Sequence, residues 1–398
     1  MSRAILTLNA GSSSLKFGVF ELGAGGLRQS VHGQIENLGH APRFTARAPD
    51  GTEIGAQQWP DGAAAVHEDV LGTLLAWIDS HLGSARLVAA GHRVVHGGRD
   101  LAGAVRVNAA VLAQLDALVP LAPLHQPHSL HAIRTLQAVR PGLPNVACFD
   151  TAFHRGQSDV IRHFALPRAL TEAGIERYGF HGLSYEFIAR ALRGIDPALA
   201  QGRVVVAHLG SGASLCAMRD GRSVATTMSF TPLDGLMMGT RCGALDPGVV
   251  LHLMQARGMR AAEVEHMLYH ESGLLGVSGL SADMRALTES TDPHAAEAVA
   301  MFCHRAASQI AALVVALGGL DGIVFTAGIG EHSAVVRAHV ADLLGWLGVA
   351  LDPAANAAGA ARIGTGRVAV LVIPADEEAM IAQHTQDVLE LADGGETA

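Results

Sequence analysis

Two apolar runs with a short polar turn between them open the chain. Residues 4–8 and 15–20 have the composition of β-strands, and the turn that joins them contains Asn-Ala-Gly-Ser-Ser-Ser. Small residues let backbone N–H groups approach an anion, and Lys16 adds a positive charge at the start of the second run. The hairpin therefore fits a phosphate group, although an ordinary polar hairpin has the same pattern. It is not a Walker A loop, because the sequence contains no G-x-x-x-x-G-K-[ST] motif.

The same design returns in the second half of the chain. Residues 203–218, RVVVAHLGSGASLCAM, again place a turn of Gly and Ser between two apolar runs. A repeated hairpin indicates an internal duplication and is more specific than either copy alone. We expect two phosphate hairpins, one in each half, that clamp a polyphosphate from opposite sides of a cleft.

Further apolar runs alternate with segments of helical periodicity. Strands are predicted over residues 87–95, 145–150, 203–209, 322–326 and 368–373. Residues 63–82 and 333–347 are predicted to be helical, and a third glycine turn is predicted at 327–331. Residues 21–60 form a Gly-rich polar section without a predicted strand. The segment 229–248 has neither period, and long irregular segments inside compact domains are typically functional.

Four polar side chains lie either at the predicted strands or in turns flanked by glycines. Arg93 lies within the strand 87–95, where burying an arginine is costly, so an ion pair or an anionic ligand is expected. Asp150 ends the next strand, at the carboxyl edge where open α/β sheets bind ligands. His181 lies in a turn bracketed by glycines ahead of a helix, and Arg241 lies between two glycines of the irregular segment.

Two further patterns have simpler explanations than a metal site. The histidines at 125, 128 and 131 have H-x-x-H-x-x-H spacing, but Pro127 separates the first from the others and no Cys, Asp or Glu stands nearby. We therefore favour a positioned loop histidine over a metal site. Three acids at 376–378 open the last predicted helix, where they suit the helix dipole; a Mg²⁺ site is the functional alternative.

Composition narrows the class of protein. The 398 residues suffice for two or three domains, and 49% hydrophobic with 16% charged residues provide a large core. The net charge is −9 without a run of Lys or Arg, which argues against nucleic acid or an anionic membrane as a partner. The longest apolar stretch, 310–320, is too short to span a bilayer, and no signal peptide is recognised. Four scattered cysteines favour reduced thiols and a cytoplasmic location.

Taken together, the motifs resemble those of the acetate and propionate kinase family, part of the superfamily of actin, sugar kinases and heat-shock ATPases. The resemblance covers nearly the whole chain and rests on segments in family order, among them LNAGSSSLKF, GHRVVHGG, FDTAFH, RYGFHG, HLGSGAS, FTPLDGLMMGTRCG, TAGIGEH and VIPADEEAMIA. It implies an α/β fold with two duplicated, ribonuclease H-like domains and a cleft between them. The implied first domain, on the carboxylate side, comprises residues 1–150 plus 376–398. The implied second domain, 151–375, binds the nucleotide.

The resemblance also implies roles for individual residues. The implied catalytic residues are Asp150, His181 and Arg241. The residues implied to contact a small carboxylate are Arg93, Val95, Leu124, Phe180 and Pro232. The residues implied to contact ATP or ADP are Lys16, Ser12, His208, Leu209, Gly210, Ser211, Gly212, Asp283, Met284, Arg285, Gly328, Ile329, Gly330, Glu331 and His332. The implied ligands of Mg²⁺, or of Mn²⁺ in its place, are Asn9 and Glu377.

The implied reaction is reversible transfer of the ATP γ-phosphoryl group to acetate, giving acetyl phosphate and ADP by direct in-line attack, in a cytoplasmic homodimer. Because acetate is already ionised at neutral pH, the catalytic problem is to bring two anions together, and arginines can offset that charge. Propionate is the close alternative substrate, since one methylene changes binding by only about 1–3 kcal/mol. A superfamily ATPase with a binding or sensory role would not require Arg93, His181 and Arg241. A sugar kinase would require a polar substrate pocket.

Some positions depart from the family's usual pattern. They are Gln126, Leu183, Tyr185, Ser211, Ala244, His332, Ala375 and Asp376. None removes a residue with an implied chemical role, but several border the implied nucleotide or metal site. Asp376 makes three consecutive acids where the metal is expected, so we expect a metal or nucleotide preference that differs from that of typical members.

Overall fold

The computed structural model describes residues 2–11, 14–38, 40–59, 67–83 and 85–391. The strands are β1 (Arg3–Ala10), β2 (Ser14–Gly23), β3 (Gly26–Glu36), β4 (Arg43–Arg47), β5 (Glu53–Gln58), β6 (Arg86–Val94), β7 (Val105–Arg106), β8 (Asn145–Phe149), β9 (Arg203–Leu209), β10 (Ala213–Arg219), β11 (Arg222–Thr226), β12 (Gly322–Thr326) and β13 (Ala369–Val372).

The helices alternate with these strands along most of the chain. They are α1 (His67–His81), α2 (Ala109–Ala117), α3 (Gln126–Val139), α4 (Asp159–Arg162), α5 (Arg168–Glu172), α6 (Gly182–Ile195), α7 (Pro197–Ala200), α8 (Pro247–Gln255), α9 (Ala261–His270), α10 (Gly273–Ser278), α11 (Met284–Glu289), α12 (Pro293–Leu317), α13 (Ala327–His332), α14 (Ala334–Leu343), α15 (Pro353–Ala357) and α16 (Glu377–Val388). Three 3-10 turns lie at Val119–Leu121, Ala152–His154 and Gly345–Leu347.

Two sheets repeat one arrangement of five strands. The first has the order β5-β4-β3-β2-β1-β6-β8-β7 and the second the order β11-β10-β9-β12-β13. In the first, β1, β2 and β3 pair antiparallel, and β1, β6 and β8 pair parallel. In the second, β9, β10 and β11 pair antiparallel, and β9, β12 and β13 pair parallel. The two similar hairpins of the sequence are therefore equivalent elements, β1–β2 and β9–β10, and the predicted duplicated α/β fold is confirmed.

The chain divides into two compact units, one of residues 1–152 with 376–398 and one of residues 153–375. In the first unit, side chains of β1 alternate between two helical layers. Leu6 and Leu8 belong to the core that contains Leu74 of α1, while Ile5 belongs to the core that contains Ala382 of α16. The period of two along the strand thus covers both faces of the sheet. Helix α16, late in the sequence, is thereby packed against β1, β6 and β8.

In the second unit, α12 packs against β9, β10 and β11, and α6 and α7 pack against β9. Among the described residues, α12 is the one helix long and apolar enough, by length and composition, to cross a membrane. It begins at Pro293, well before the apolar stretch 310–320 seen in the sequence, so its 25 residues exceed the length of that stretch. Ten of them are buried within this unit, as expected of a core helix.

Three predicted elements differ from the structure. The polar section 21–60 contains β3, β4 and β5. The hydrophobic pattern misses β5, which buries no residue, and β3, which buries two; β4 buries three residues but is only five residues long. The third glycine turn is the short helix α13, and α14 ends at Leu343, before a 3-10 turn. Strand β12 has the predicted bounds, because a fully buried strand leaves an uninterrupted apolar run.

A close approach between β6 and α16 gives a test of this packing. A Cβ at Gly91 would lie 2.2 Å from Thr385 Oγ1 and 2.6 Å from Ile381 Cγ2. We expect Gly91→Ala to displace α16 and to lower the free energy of unfolding by about 1–3 kcal/mol, measured by urea denaturation. Gly142→Ala is the matched control, because its Cβ would have no neighbour within 4 Å. Equal stability of the two variants would contradict this packing.

Candidate active site

Three polar side chains meet where parallel strands of the first sheet end. Asn9 and Arg93 are the penultimate residues of β1 and β6, and Asp150 directly follows β8. Arg93 Nε donates to both oxygens of Asp150, at 2.9 and 3.1 Å, and Nη2 donates to Oδ2 at 2.5 Å. Nη1 donates to Asn9 Oδ1 at 3.1 Å. Because the three strands are neighbours, the sheet itself brings these residues together.

The ion pair of Arg93 and Asp150 is largely shielded from water, but the guanidinium of Arg93 can still bind an anion. The side chain of Asp150 is 1% exposed and that of Arg93 is 22% exposed. Burial opposes the charge of Arg93, but the nearby carboxylates, Asp150 foremost, outweigh it and raise the pKa of the guanidinium. Three of the five guanidinium N–H groups are used, and no described residue accepts from the other two. A fixed guanidinium with two available donors is suited to a carboxylate or a phosphoryl group.

The first turn of α16 adds acidic groups beside this pair. Asp376 is the N-cap, and its Oδ1 accepts a backbone N–H of the helix at 2.8 Å. Glu377 Oε2 lies 3.4 Å from Asn9 Nδ2. Burial raises the pKa of Glu378, and the negative charge of Glu377 raises it further. The two neighbouring glutamates favour a cation, because a positive charge would relieve their mutual repulsion.

The β1–β2 hairpin carries the other predicted phosphate contacts of the first unit. Asn9 and Lys16 are register partners across the hairpin, and Gly11 N–H donates to Ser14 O at 2.8 Å in the turn. Lys16 is exposed, and its charge acts on Glu378. Ser12 lies outside the described residues.

In the second unit, the turn of the β9–β10 hairpin adjoins two of the predicted catalytic residues. A Cβ at Gly212 would lie 3.5 Å from His181 Nε2 and 3.7 Å from Arg241 Nη1. Gly239 N–H donates to Ser211 O at 3.1 Å, which connects the turn to the loop that carries Arg241. The structure therefore places the glycine turn, the imidazole and the guanidinium side by side.

His181 adopts an unusual backbone conformation at the start of α6. It is the N-cap residue with φ 57° and ψ 24°, in the left-handed region, which costs a non-glycine residue about 1–2 kcal/mol. Its Nδ1 lies 2.8 Å from Ser214 Oγ, and its ring stacks on that of His208 with centroids 4.2 Å apart. Ser184 Oγ in turn lies 2.9 Å from His208 Nδ1. These contacts stabilise the left-handed conformation.

Arg241 lies in the predicted irregular segment, where residues 227–246 form neither helix nor strand. Its Nη1 donates to Pro232 O at 2.9 Å, and its backbone oxygen accepts from Met238 N–H at 3.1 Å. Gly243, with φ 72°, approaches Leu236 O so closely that a Cβ would lie 2.4 Å from it. The loop is therefore held by backbone contacts that glycine permits.

The predicted apolar substrate positions are mostly enclosed. Val95, Phe180 and Pro232 are buried, and Leu124 is half-buried. Val95 and Leu124 belong to the first unit, and Phe180 and Pro232 to the second.

The predicted adenosine contacts lie at two short helices. Asp283 is the N-cap of α11, and its Oδ1 accepts from Arg285 N–H at 2.7 Å. Met284 is buried and Arg285 is exposed. In α13, Gly328 is exposed, and Glu331 Oε1 accepts from the backbone N–H of residue 375 at 3.0 Å. The remaining members of this set are Ile329 and Gly330 in the helix and His332 at its end. The side chain of Asp283 thus caps the N-terminus of α11.

Sequence reasoning missed a buried arginine behind α13. Arg337 of α14 is 1% exposed, and its Nη1 donates to Gly330 O at 2.9 Å and to Glu331 O at 2.8 Å. Its Nε and Nη2 donate to Asn356 Oδ1 and O at 2.8 and 2.7 Å. All four acceptors are neutral oxygens, and burial lowers the pKa of the guanidinium. The sequence feature that could have indicated its burial is an arginine among the apolar residues of a predicted helix, AVVRAHV.

Gln126, one of the departures from the family pattern, also has a structural role. It is fully buried; its Oε1 accepts from His96 N–H at 3.1 Å, and its Nε2 donates to His96 O at 3.0 Å. The amide thus fixes the backbone immediately after Val95.

Comparison with known proteins places this architecture in a family. The model of the acetokinase family matches residues 4–383. Acetate kinase of Rhodopseudomonas palustris (strain ATCC BAA-98 / CGA009) is 53% identical over 402 residues, which cover 99% of this chain and 100% of that protein. The chain therefore belongs to the acetokinase family.

Two solved structures share the fold. A propionate kinase from Francisella tularensis subsp. tularensis SCHU S4 has a TM-score of 0.90 and 36% identity, covering 97% of this chain and 100% of its own. Acetate kinase of Porphyromonas gingivalis has a TM-score of 0.86 and 32% identity, also covering 97% and 100%.

The four hydrogen bonds of Arg337 predict its contribution to stability. Arg337→Met leaves buried carbonyl oxygens without a donor, and each such loss costs about 1–3 kcal/mol. We expect the free energy of unfolding to fall by at least about 2 kcal/mol, measured by urea denaturation. Arg260→Met is the control, because Arg260 is 80% exposed; a change within about 0.5 kcal/mol is expected. A loss no larger than that of the control would contradict the role of Arg337.

Proposed function

We propose that the protein is an acetate kinase, which transfers the γ-phosphoryl group of ATP reversibly to acetate and forms acetyl phosphate and ADP. The observation that carries the proposal is Arg93, which Asp150 and Asn9 hold at the strand ends with two N–H groups available. A nucleotide-binding protein without carboxylate chemistry would not require such a group. Membership of the acetokinase family supports the same activity.

Arg93 binds and aims the substrate carboxylate, which is already ionised and needs no general base. Asp150 therefore positions Arg93 rather than accepting a proton: both of its oxygens already accept from the guanidinium. This arrangement agrees with a reaction in which catalysis consists mainly of positioning and charge compensation.

His181 and Arg241 stabilise the oxygens of the phosphoryl group during in-line transfer. Their position next to Gly212 supports this role, because a glycine turn lets a phosphate approach its backbone N–H groups. The hairpin residues His208 to Gly212, with Lys16, hold the polyphosphate. The segments 283–285 and 328–332 hold the adenosine part.

The residues at the start of α16 fit a Mg²⁺ ion. Mg²⁺ typically takes one or two carboxylates and fills its other positions with water and phosphate oxygens. Glu377 and Asn9 supply hard oxygen donors, and Asn9 Nδ2 lies 3.4 Å from Glu377 Oε2, which keeps the two side chains together. The ion would offset charge on the polyphosphate. Asp376 adds a charge close to this site while capping the helix, so an altered preference among Mg²⁺, Mn²⁺ and nucleotides stays a prediction.

The acyl group and the assembly complete the proposal. Val95, Leu124, Phe180 and Pro232 are the proposed apolar contacts of the substrate's acyl group. Propionate is the second candidate substrate, favoured by the likeness to a propionate kinase. A homodimer is supported by α8, which buries none of its residues and exposes the apolar side chains of Val249, Leu251 and Met254 by 39–53%. A cytoplasmic location is proposed from the cysteines, which are thiols.

Trapping the product with hydroxylamine tests the function directly. With ATP and Mg²⁺, acetate should give acetyl hydroxamate, and propionate should give its hydroxamate with a lower kcat/KM. One methylene is worth about 1–3 kcal/mol, so the two substrates should differ by at least about fivefold. A larger kcat/KM for propionate would make the protein a propionate kinase. No hydroxamate from acetate, propionate or butyrate would refute carboxylate kinase activity.

The role of Arg241 predicts a large loss of turnover. Arg241→Ala should reduce kcat by about 10³-fold, because an arginine that stabilises the transferring phosphoryl group contributes that much or more. Arg260→Ala, in an exposed pair with Glu263, is the control and should retain normal kcat. Near-normal turnover of Arg241→Ala would show that another group compensates the phosphoryl charge.

A further inference from the structure

The hydroxyl group of Ser214 lies between two side chains at the start of α6. Its Oγ is 2.8 Å from His181 Nδ1 and 2.5 Å from the hydroxyl oxygen of Tyr185. Ser214 and Tyr185 are both fully buried. All three residues belong to the second unit, and β10 and the first turn of α6 bring them together.

The protons on Tyr185 and Ser214 determine which group donates and which accepts in this chain of hydrogen bonds. Burial raises the pKa of Tyr185 well above its usual value, so the phenol keeps its proton. Within the described part of the chain, Ser214 is the hydrogen-bond partner of that hydroxyl. If Ser214 Oγ accepts from Tyr185, its own single proton is directed to His181 Nδ1. The opposite direction would leave a buried phenol proton without an acceptor, which is unfavourable.

We propose that Tyr185 and Ser214 form a relay that fixes neutral His181 as the tautomer with its proton on Nε2. The Nε2–H group then lies on the side of Gly212, where it serves as a hydrogen-bond donor to an anionic oxygen. That this oxygen belongs to a phosphoryl group rests on the proposed function. Tyr185 and Ser214 act through His181 and are positioning residues.

The relay separates two histidines that the hairpin brings into contact. The His208 ring stacks on that of His181, but its Nδ1 is bonded to Ser184 rather than to Ser214. Each imidazole therefore has its own serine, and the orientation of one does not depend on the serine of the other. Tyr185 stands close to a position where the family usually has His, so this relay concerns a part of the chain that departs from the family pattern.

The tautomer can be read from two-bond ¹H–¹⁵N spectra of the full chain labelled with ¹⁵N-histidine. At about pH 8.5 a histidine of ordinary pKa is neutral, and comparison with His181→Gln assigns the signal. The wild-type protein without ligands should show His181 protonated on Nε2. Tyr185→Phe and Ser214→Ala should each produce a mixture of the two tautomers. Tyr178→Phe is the matched control: it removes the hydroxyl of another buried tyrosine, which donates to Gly174 O, and the His181 signal should not change.

Kinetics provide the second readout. Tyr185→Phe should lower kcat about tenfold, equivalent to about 1.4 kcal/mol, with little change in either KM, because the donor is disordered rather than removed. A wild-type His181 protonated on Nδ1 would overturn the relay, and so would an unchanged spectrum in both variants. Because the spectra need no turnover, an inactive wild-type protein with the expected spectra would refute the proposed function and support the relay.

Discussion

The ion pair between Arg93 and Asp150 is the constraint on which the first unit's site depends. A carboxylate that is 1% exposed is tolerated only with a charged, well-placed partner, and Arg93 supplies three donated hydrogen bonds. The arginine is equally constrained, because it must remain charged near the end of an apolar strand. Neither residue can change without leaving the other uncompensated. The sheet order β1-β6-β8 thus determines where an anion can be bound.

In the second unit, two residues of the candidate site make contacts with neutral groups. His181 contacts a serine hydroxyl and a stacked imidazole, and Arg241 donates to a backbone oxygen. The buried Arg337 is likewise held by backbone and amide oxygens. In the first unit a carboxylate holds the arginine of the candidate site, whereas backbone and amide oxygens hold the buried Arg337 of the second unit.

The features predicted correctly are those that local sequence determines. The buried strand β12 is an uninterrupted apolar run, and the two hairpins share a visible pattern of Gly and Ser. Strands β3 and β5 were missed because strands with few buried residues show no apolar period, whether they lie inside the sheet, as β3 does, or at its edge, as β5 does. The pairing of Tyr185 with Ser214 could not be foreseen, since it joins residues 29 positions apart through tertiary contact. The left-handed backbone of His181 could not be assigned from its residue type alone, since most histidines are not left-handed and five other described non-glycine residues also have positive φ.

Helix α16 packs on β1, β6 and β8 and brings Glu377 to Asn9, yet the whole second unit precedes it in the sequence. During synthesis, which proceeds from the N-terminus, the first sheet therefore emerges without the helix that covers one of its faces. Its apolar residues on that face, such as Ile5 and Ala89, remain exposed to water until residue 388 has left the ribosome. The unit that begins the chain is consequently the last to be completed, and its acidic cluster forms only at that point.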